Sequence, residues 1–480
     1  MSPLTGIVVR VAVVCAGVCC VGGAIADEAV ERRLQELEAE TQALREQVRE
    51  LSERPVRLPP VEAAPAAPMP EMTLAAEQSA APADEQYMTV DEMKDEMKKL
   101  VWTKGDFKVV PYGSLWGSVI YDTERSFPGP YTLYVYSASD QGESDFVIDT
   151  RRTRIGLDVA GPRIPFFANA ESSGRLEIDF HGAFVVENKP GVLLRHAYGL
   201  IKNERFGLLA GQTSDVISPL YPGTLSYSVG WGGGNIGYRR AQVRLDRYLD
   251  LAPCWLATLQ GSVNQNIISD LTGTAGVRPE ATGWPVIEGR LGFTYGPRGK
   301  GCHPAEFGFS GHIGEQGFDF TTAGPSPFVL PPRDDVRVRT WSFNVDVRIP
   351  VTERWGLQGE YFTGENLSTF LGGVIQGVSP YTRRPIRACG GWGEVWYDLT
   401  PRLHSHAGFG IDDPFDVDIV EGRSYNHFIF ANVSFDVIST FNVGVEVTSW
   451  KTLYRDVRPG HTDPEPGESV QFEFTGKYNF

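Results

Sequence analysis

Arginines spaced two residues apart are the side chains with the most chemistry to offer. Arg152 and Arg154 share one face of any strand that holds them, and so do Arg240 and Arg244; Arg195 takes the same phase on another segment. A guanidinium stays charged at every relevant pH and grips carboxylates or phosphates with a two-pronged fork. Glu177, Asp179, Asp246 and Asp346 occupy matching phases elsewhere. Basic and acidic walls facing each other across water would set up a transverse field that sorts small polar solutes by charge. The competing reading is that these groups pair with one another and stiffen the wall.

The other candidates point to geometry more than to catalysis. Asp215, Trp231 and Asn235 belong to a long connection, 213–236, which is expected to fold inward as a constriction. Its run Gly230-Trp231-Gly232-Gly233-Gly234-Asn235 permits tight folding, because glycine accepts positive φ. A phosphate cradle would need a Lys-Ser/Thr ending and a following helix, and neither is present. His404 and His406 share a face at i, i+2 without a third ligand, so no metal site is expected. Asp412, Asp413, Asp416, Asp418 and Glu421 predict an acidic external loop, solvated or holding divalent ions linked to lipopolysaccharide, but without calcium-loop spacing. The sequence carries no nucleophile elbow, no catalytic constellation and no cofactor motif, so no enzyme is expected.

The arginines, their acidic counterparts and the two histidines lie on segments that alternate with period two. In the last one, Phe472, Phe474, Gly476, Tyr478 and Phe480 take one face; Gln471, Glu473, Thr475, Lys477 and Asn479 take the other. Phe441, Val443, Val445 and Val447 alternate with Asn442, Gly444, Glu446 and Thr448 in the same way, and Trp341 to Ile349 repeats the design. Tight turns at 203–204, 251–253, 352–353, 400–401 and 438–440 separate long connections at 124–145, 213–236, 321–335, 366–387 and 455–468. The pattern predicts an all-β fold: a transmembrane antiparallel β-barrel of about 16 strands over 105–480, apolar face in lipid and polar face on a wet lumen. Short turns face the periplasm in such barrels. A chain ending on Phe480 at the close of an alternating strand resembles the signal that the bacterial barrel-assembly machinery reads.

Composition agrees. There are 53 Gly, 26 Phe, 18 Tyr and 10 Trp, mostly after residue 105, and no apolar run after the leader reaches the roughly 20 residues of a spanning helix. The net charge is −16 and no basic face dominates, which excludes nucleic acid as a partner. Residues 1–26 read as a cleaved secretory signal ending in Ala24-Ile25-Ala26, with lipid attachment at Cys19 or Cys20 as the alternative. Val30, Leu34, Leu37, Leu44, Val48 and Leu51 make a heptad, predicting a short periplasmic α-helical coiled coil over 27–54. A Pro/Ala-rich linker with one short helix follows over 55–104. Cys254 and Cys302 fall in neighbouring short-side turns about 10 Å apart, making them a candidate disulfide with two free thiols as the alternative.

One stretch resembles a known family. Asp149-Thr150-Arg151-Arg152-Thr153-Arg154-Ile155-Gly156, Gly174-Arg175-Leu176-Glu177-Ile178-Asp179-Phe180, Leu194-Arg195-His196-Ala197-Tyr198-Gly199 and Leu209-Ala210-Gly211-Gln212-Thr213 look like the DcaP-like trimeric outer-membrane porins. These motifs cover under a sixth of the chain, whereas the layout of signal, coiled coil, linker and barrel covers nearly all of it. The resemblance implies a homotrimer among outer-membrane lipids whose water-filled pore passes small polar, often anionic and dicarboxylate-like, solutes by passive diffusion. A structural tether to the cell wall and a barrel enzyme are the competing classes.

Overall fold

A computed structural model describes residues 101–140, 142–182, 190–268, 274–297 and 303–480. The signal, the coiled coil, most of the linker and Cys302 lie outside the described residues.

Sixteen antiparallel strands close into one barrel. They are β1 (Phe107–Asp122), β2 (Asp145–Asp149 continuing as Arg154–Ile164), β3 (Ala170–Asp179) and β4 (Leu193–Lys202). Next come β5 (Phe206–Ser214), β6 (Arg239–Ala252), β7 (Trp255–Asn264) and β8 (Val286–Tyr295). The far wall is β9 (Ala305–Phe320), β10 (Arg333–Pro350), β11 (Trp355–Glu365) and β12 (Arg387–Thr400). The circuit ends with β13 (Leu403–Pro414), β14 (Glu421–Ile438), β15 (Phe441–Asp456) and β16 (Gly467–Asn479). Each strand pairs with its sequence neighbour, and β16 returns to β1 in register from Ser114↔Asn479 to Asp122↔Gln471. Closure leaves no sheet edge, which is what a strand-built span in lipid requires.

The last residue helps to seal the seam. Gly113 and Phe480 exchange two backbone hydrogen bonds, both 3.1 Å. A Cβ on Gly113 would sit 2.6 Å from the Phe480 ring, so this glycine makes room for it.

Alternation sets which side chains face out. Phe474 is 50% exposed and Val445 53%, while their strand neighbours Glu473 and Glu446 are 5% and 3% exposed. Near the short-turn end, Trp255, Tyr295, Phe293 and Phe307 stack into an aromatic group on β7 to β9. Aromatic girdles of this kind flank the apolar band of barrels in membranes.

Two expectations are corrected by strand geometry. Asp412 and Asp413 belong to β13 rather than to an external loop. Asp412 is fully buried and accepts the backbone N–H groups of Gly373 and Val374. Simple alternation also fails within β2, where residues 150–153 interrupt the ladder, and in β4, where the register shifts against β3. The first irregularity turns Arg151 into a buried pair with Asp149 (2.6 Å). The second lets Arg195 and His196 both approach Glu177.

A charge on the outward face should therefore be costly. Phe474→Arg is expected to lower stability by about 2–4 kcal/mol in lipid vesicles. Chemical denaturation measures this, and an unchanged midpoint would contradict the outward placement.

Candidate functional site

The connection between β5 and β6, residues 215–238, leaves the wall and enters the lumen as expected of an inward loop. A backbone inside a barrel needs partners for its polar groups. The wall supplies them as a ladder of buried carboxylates. Glu288 on β8 accepts the N–H of Val216 at 2.7 Å, and Glu360 on β11 accepts Leu220 N–H at 2.8 Å. Glu394 on β12 accepts Gly223 N–H at 2.6 Å; Glu446 on β15 accepts Leu225 N–H at 2.7 Å and the Thr224 hydroxyl. Carboxylate acceptors make these bonds stronger than neutral ones.

The loop then crosses towards the seam, where Arg152 donates to the Leu225 carbonyl oxygen and the Tyr227 hydroxyl donates to Asp179 at 3.3 Å. Its glycine run sits tight against the wall. At Gly234, φ is +124° and a Cβ would lie 2.2 Å from the Gly391 carbonyl oxygen. Only glycine suits both conditions.

Two further loops join it. The first loop carries a hairpin, Ser126–Pro128 with Thr132–Val135, and the sixth spans 366–386. Tyr131, Leu133 and Tyr134 from the first, Tyr227 and Trp231 from the inward loop, and Leu371, Val374 and Ile375 from the sixth form one buried apolar cluster. The loops thereby hold each other at the long-loop end of the lumen.

The arginines singled out by spacing differ in their partners. Arg195 is held by Glu177 at 2.7 Å and Asp179 at 2.8 Å. Arg240 pairs with Asp215 at the root of the inward loop, donates to the Thr369 carbonyl and stacks 3.7 Å over Phe370. Arg244 lies 3.4 Å from Asp246, which also accepts from Gln260. Asp346 is taken by Arg290 at 2.6 Å. Among the described residues, no carboxylate comes within ion-pair distance of Arg152 or Arg154, and their buried Nε atoms have no hydrogen-bond partner.

Trp231 and Asn235 are both buried in the loop, where Asn235 donates to the Val229 carbonyl at 2.7 Å. His404 bridges Asp398 (2.6 Å) and Asp436 (3.3 Å), and His406 meets Glu394 at 3.3 Å. At the outer rim Glu280, Asp319 and Asp335 approach one another beside Arg278, which pairs with Asp319. Cys254 is exposed in its turn.

Sequence reasoning missed the carboxylate ladder. Glu446 stood on a recognised inward face, but nothing local marks a glutamate as the acceptor of a loop about 220 residues away. Lys477 and Trp116 were missed as a pair for the same reason: they meet only across the closing seam.

No protein-family model and no curated protein matches the sequence. Solved structures do. The barrel is similar to the outer membrane channel DcaP of Acinetobacter baumannii, with a TM-score of 0.62 and 17% identity, covering 79% of this chain and 99% of that one. The fold is shared. Looser matches include OprB of Pseudomonas putida (TM-score 0.49, 10% identity, 84% and 100% covered) and an anion-selective porin from Comamonas acidovorans (0.48, 11%, 78% and 100%). At 17% identity the DcaP likeness speaks for architecture alone.

The ladder makes a direct prediction. In Glu394→Ala and Glu446→Ala, loop amides lose their acceptors at a cost of about 1–3 kcal/mol each. Hydrogen exchange at Gly223 and Leu225 should accelerate roughly tenfold or more while the wall strands stay protected. Equal protection in both variants would mean that the carboxylates do not hold the loop.

Proposed function

We propose that this chain is a porin of the bacterial outer membrane, a water-filled channel for passive diffusion of small polar solutes with a preference for anions. One observation carries the preference. Four lumen glutamates, Glu288, Glu360, Glu394 and Glu446, are occupied by backbone N–H groups of the inward loop and Glu177 by Arg195, whereas among the described residues Arg152 and Arg154 keep positive charge without a carboxylate partner. Donor groups around the carboxylates attenuate the field they present, so the field in the water is set by the free cations. The closed barrel with its apolar outer face, and the likeness in fold to the DcaP channel, support placement in the outer membrane.

The chain is further proposed to work as a homotrimer, with residues 27–54 as a periplasmic coiled coil and Phe480 as the signal for barrel assembly. The outer surface supports a subunit contact on one side. Gly117, Gly199 and Ala210 leave gaps between the exposed side chains of β1, β4 and β5, while β9 to β13 present Phe309, Phe343, Tyr361, Val395 and Phe409. Large apolar side chains suit lipid, and small ones let two backbones approach.

Planar-bilayer recording of the purified protein tests the reading. Discrete, ohmic conductance steps are expected, appearing in groups of three as a trimer inserts. Protein that inserts into the bilayer yet conducts nothing would refute the channel and favour a tether or an enzyme.

A further inference from the structure

We propose that Lys477, Arg154 and Arg152 form a binding site for a compact oxyanion, the chemistry of inorganic phosphate or a phosphate monoester, built around Trp116 on the barrel seam. The proposal rests on the channel reading above and names the solute class that the lumen would hold longest.

Strand register brings the residues together. Across β1 and β16 Trp116 is the direct partner of Lys477; across β1 and β2 Ser114 is the direct partner of Arg154. Ser114 and Trp116 lie two residues apart on the same inward face, about 7 Å along the strand, and adjacent strands are about 4.8 Å apart. Long basic side chains from the flanking strands therefore reach one common region. The Arg152 guanidinium lies 3.8 Å from the centre of the Trp116 ring, and the Lys477 ammonium lies 4.9 Å from it. The Trp116 backbone N–H donates to Thr153 Oγ1 at 3.0 Å, which ties the Arg152–Arg154 stretch to β1 beside the ring, and the indole N–H itself donates to Ser118 Oγ at 3.2 Å.

The charges in this region do not balance. Among the described residues, Lys477, Arg154 and Arg152 have no ion pair, and the buried Nε atoms of both arginines are unpartnered. Two like charges over one indole, with Arg154 on the neighbouring strand, repel each other by Coulomb's law, and ring quadrupole attraction offsets only part of that. Three acidic groups act on this region: Glu473, buried on β16, faces Arg152 from beyond ion-pair distance, and the other two are already engaged. Glu177 accepts from Arg195 and Tyr112, and Glu446 accepts from the inward loop. An anion from solution would complete the set.

The arrangement also limits the shape of that anion. Arg195 and Arg240, the cations that could take a second, distant carboxylate, are bound by Glu177 with Asp179 and by Asp215. Arg239 is a further guanidinium without an ion pair among the described residues, but a single one, held 4.6 Å over the Tyr238 ring, so positive charge is concentrated at the seam, where a solute carrying its charge on one centre is fully met. An extended dicarboxylate engages it with one end only. Guanidinium forks and an ammonium are the donors that oxyanions take best.

The test uses the full-length protein in planar bilayers under KCl, with inorganic phosphate or succinate added near neutral pH. Phosphate should reduce the chloride current along a saturating curve, and succinate should need about tenfold more for the same effect. Lys477→Gln and Arg154→Gln should each weaken the phosphate effect about tenfold, as expected for one charge-assisted contact, and Lys477→Arg should retain most of it. Arg154 lies outside the closing strand, so its variant serves should Lys477→Gln fail to assemble. A non-saturating phosphate response, equal potency of succinate, or an unchanged response in the Gln variants would overturn the site while leaving an anion-preferring channel intact. Absence of any conductance would overturn both.

Discussion

A peptide backbone that leaves the barrel wall and crosses the lumen takes its N–H groups with it, and every one must find an acceptor. Left unpaired away from water, each would cost about 1–3 kcal/mol. Glu288, Glu360, Glu394 and Glu446 meet that need from β8, β11, β12 and β15. The same bonds fix the path of residues 215–225 and so the shape of the lumen. They also decide its electrostatics, because carboxylates surrounded by donors contribute less to the field in the water. On the proposed reading, the arginines and the lysine at the seam, which have no ion pair among the described residues, then dominate.

Apolar packing completes what the hydrogen bonds begin. The inward loop leaves the wall with Ile217 and returns with Ile236, and both are buried with Phe362, Leu367 and Phe370. Further along, Tyr227 and Trp231 share a core with side chains of the first and sixth loops. The sixth loop is itself tied to the wall by Asp412, and its Phe370 stacks 3.8 Å from the ring of His312. Polar wall groups thus position backbone, and the aromatic residues between loops exclude water from the contact. A small loop displacement would break hydrogen bonds and apolar contacts together, which favours a single arrangement.

Much of the barrel was legible because period-two alternation is a local property. Phe472 to Phe480 reads outward and Gln471 to Asn479 inward without knowledge of any other strand. Turn lengths and strand number followed from the same pattern. Where the ladder is irregular the rule fails, as at residues 150–153 and at the β3–β4 register shift, since a bulge reverses the side on which later residues project. Partner choice was not legible at all. Nothing in the spacing of Arg195 and Arg154 distinguishes an arginine clasped by Glu177 and Asp179 from one left free. That distinction depends on contacts between distant segments, as does the pairing of Trp116 with Lys477.

The most direct test of the account is the zero-current potential of the wild-type protein across a KCl gradient. Free cations and donor-capped glutamates predict a potential of the sign set by chloride, with anions the more permeant species. A potential of the opposite sign, or one close to that of free diffusion, would show that the glutamates still govern the lumen and would contradict the account.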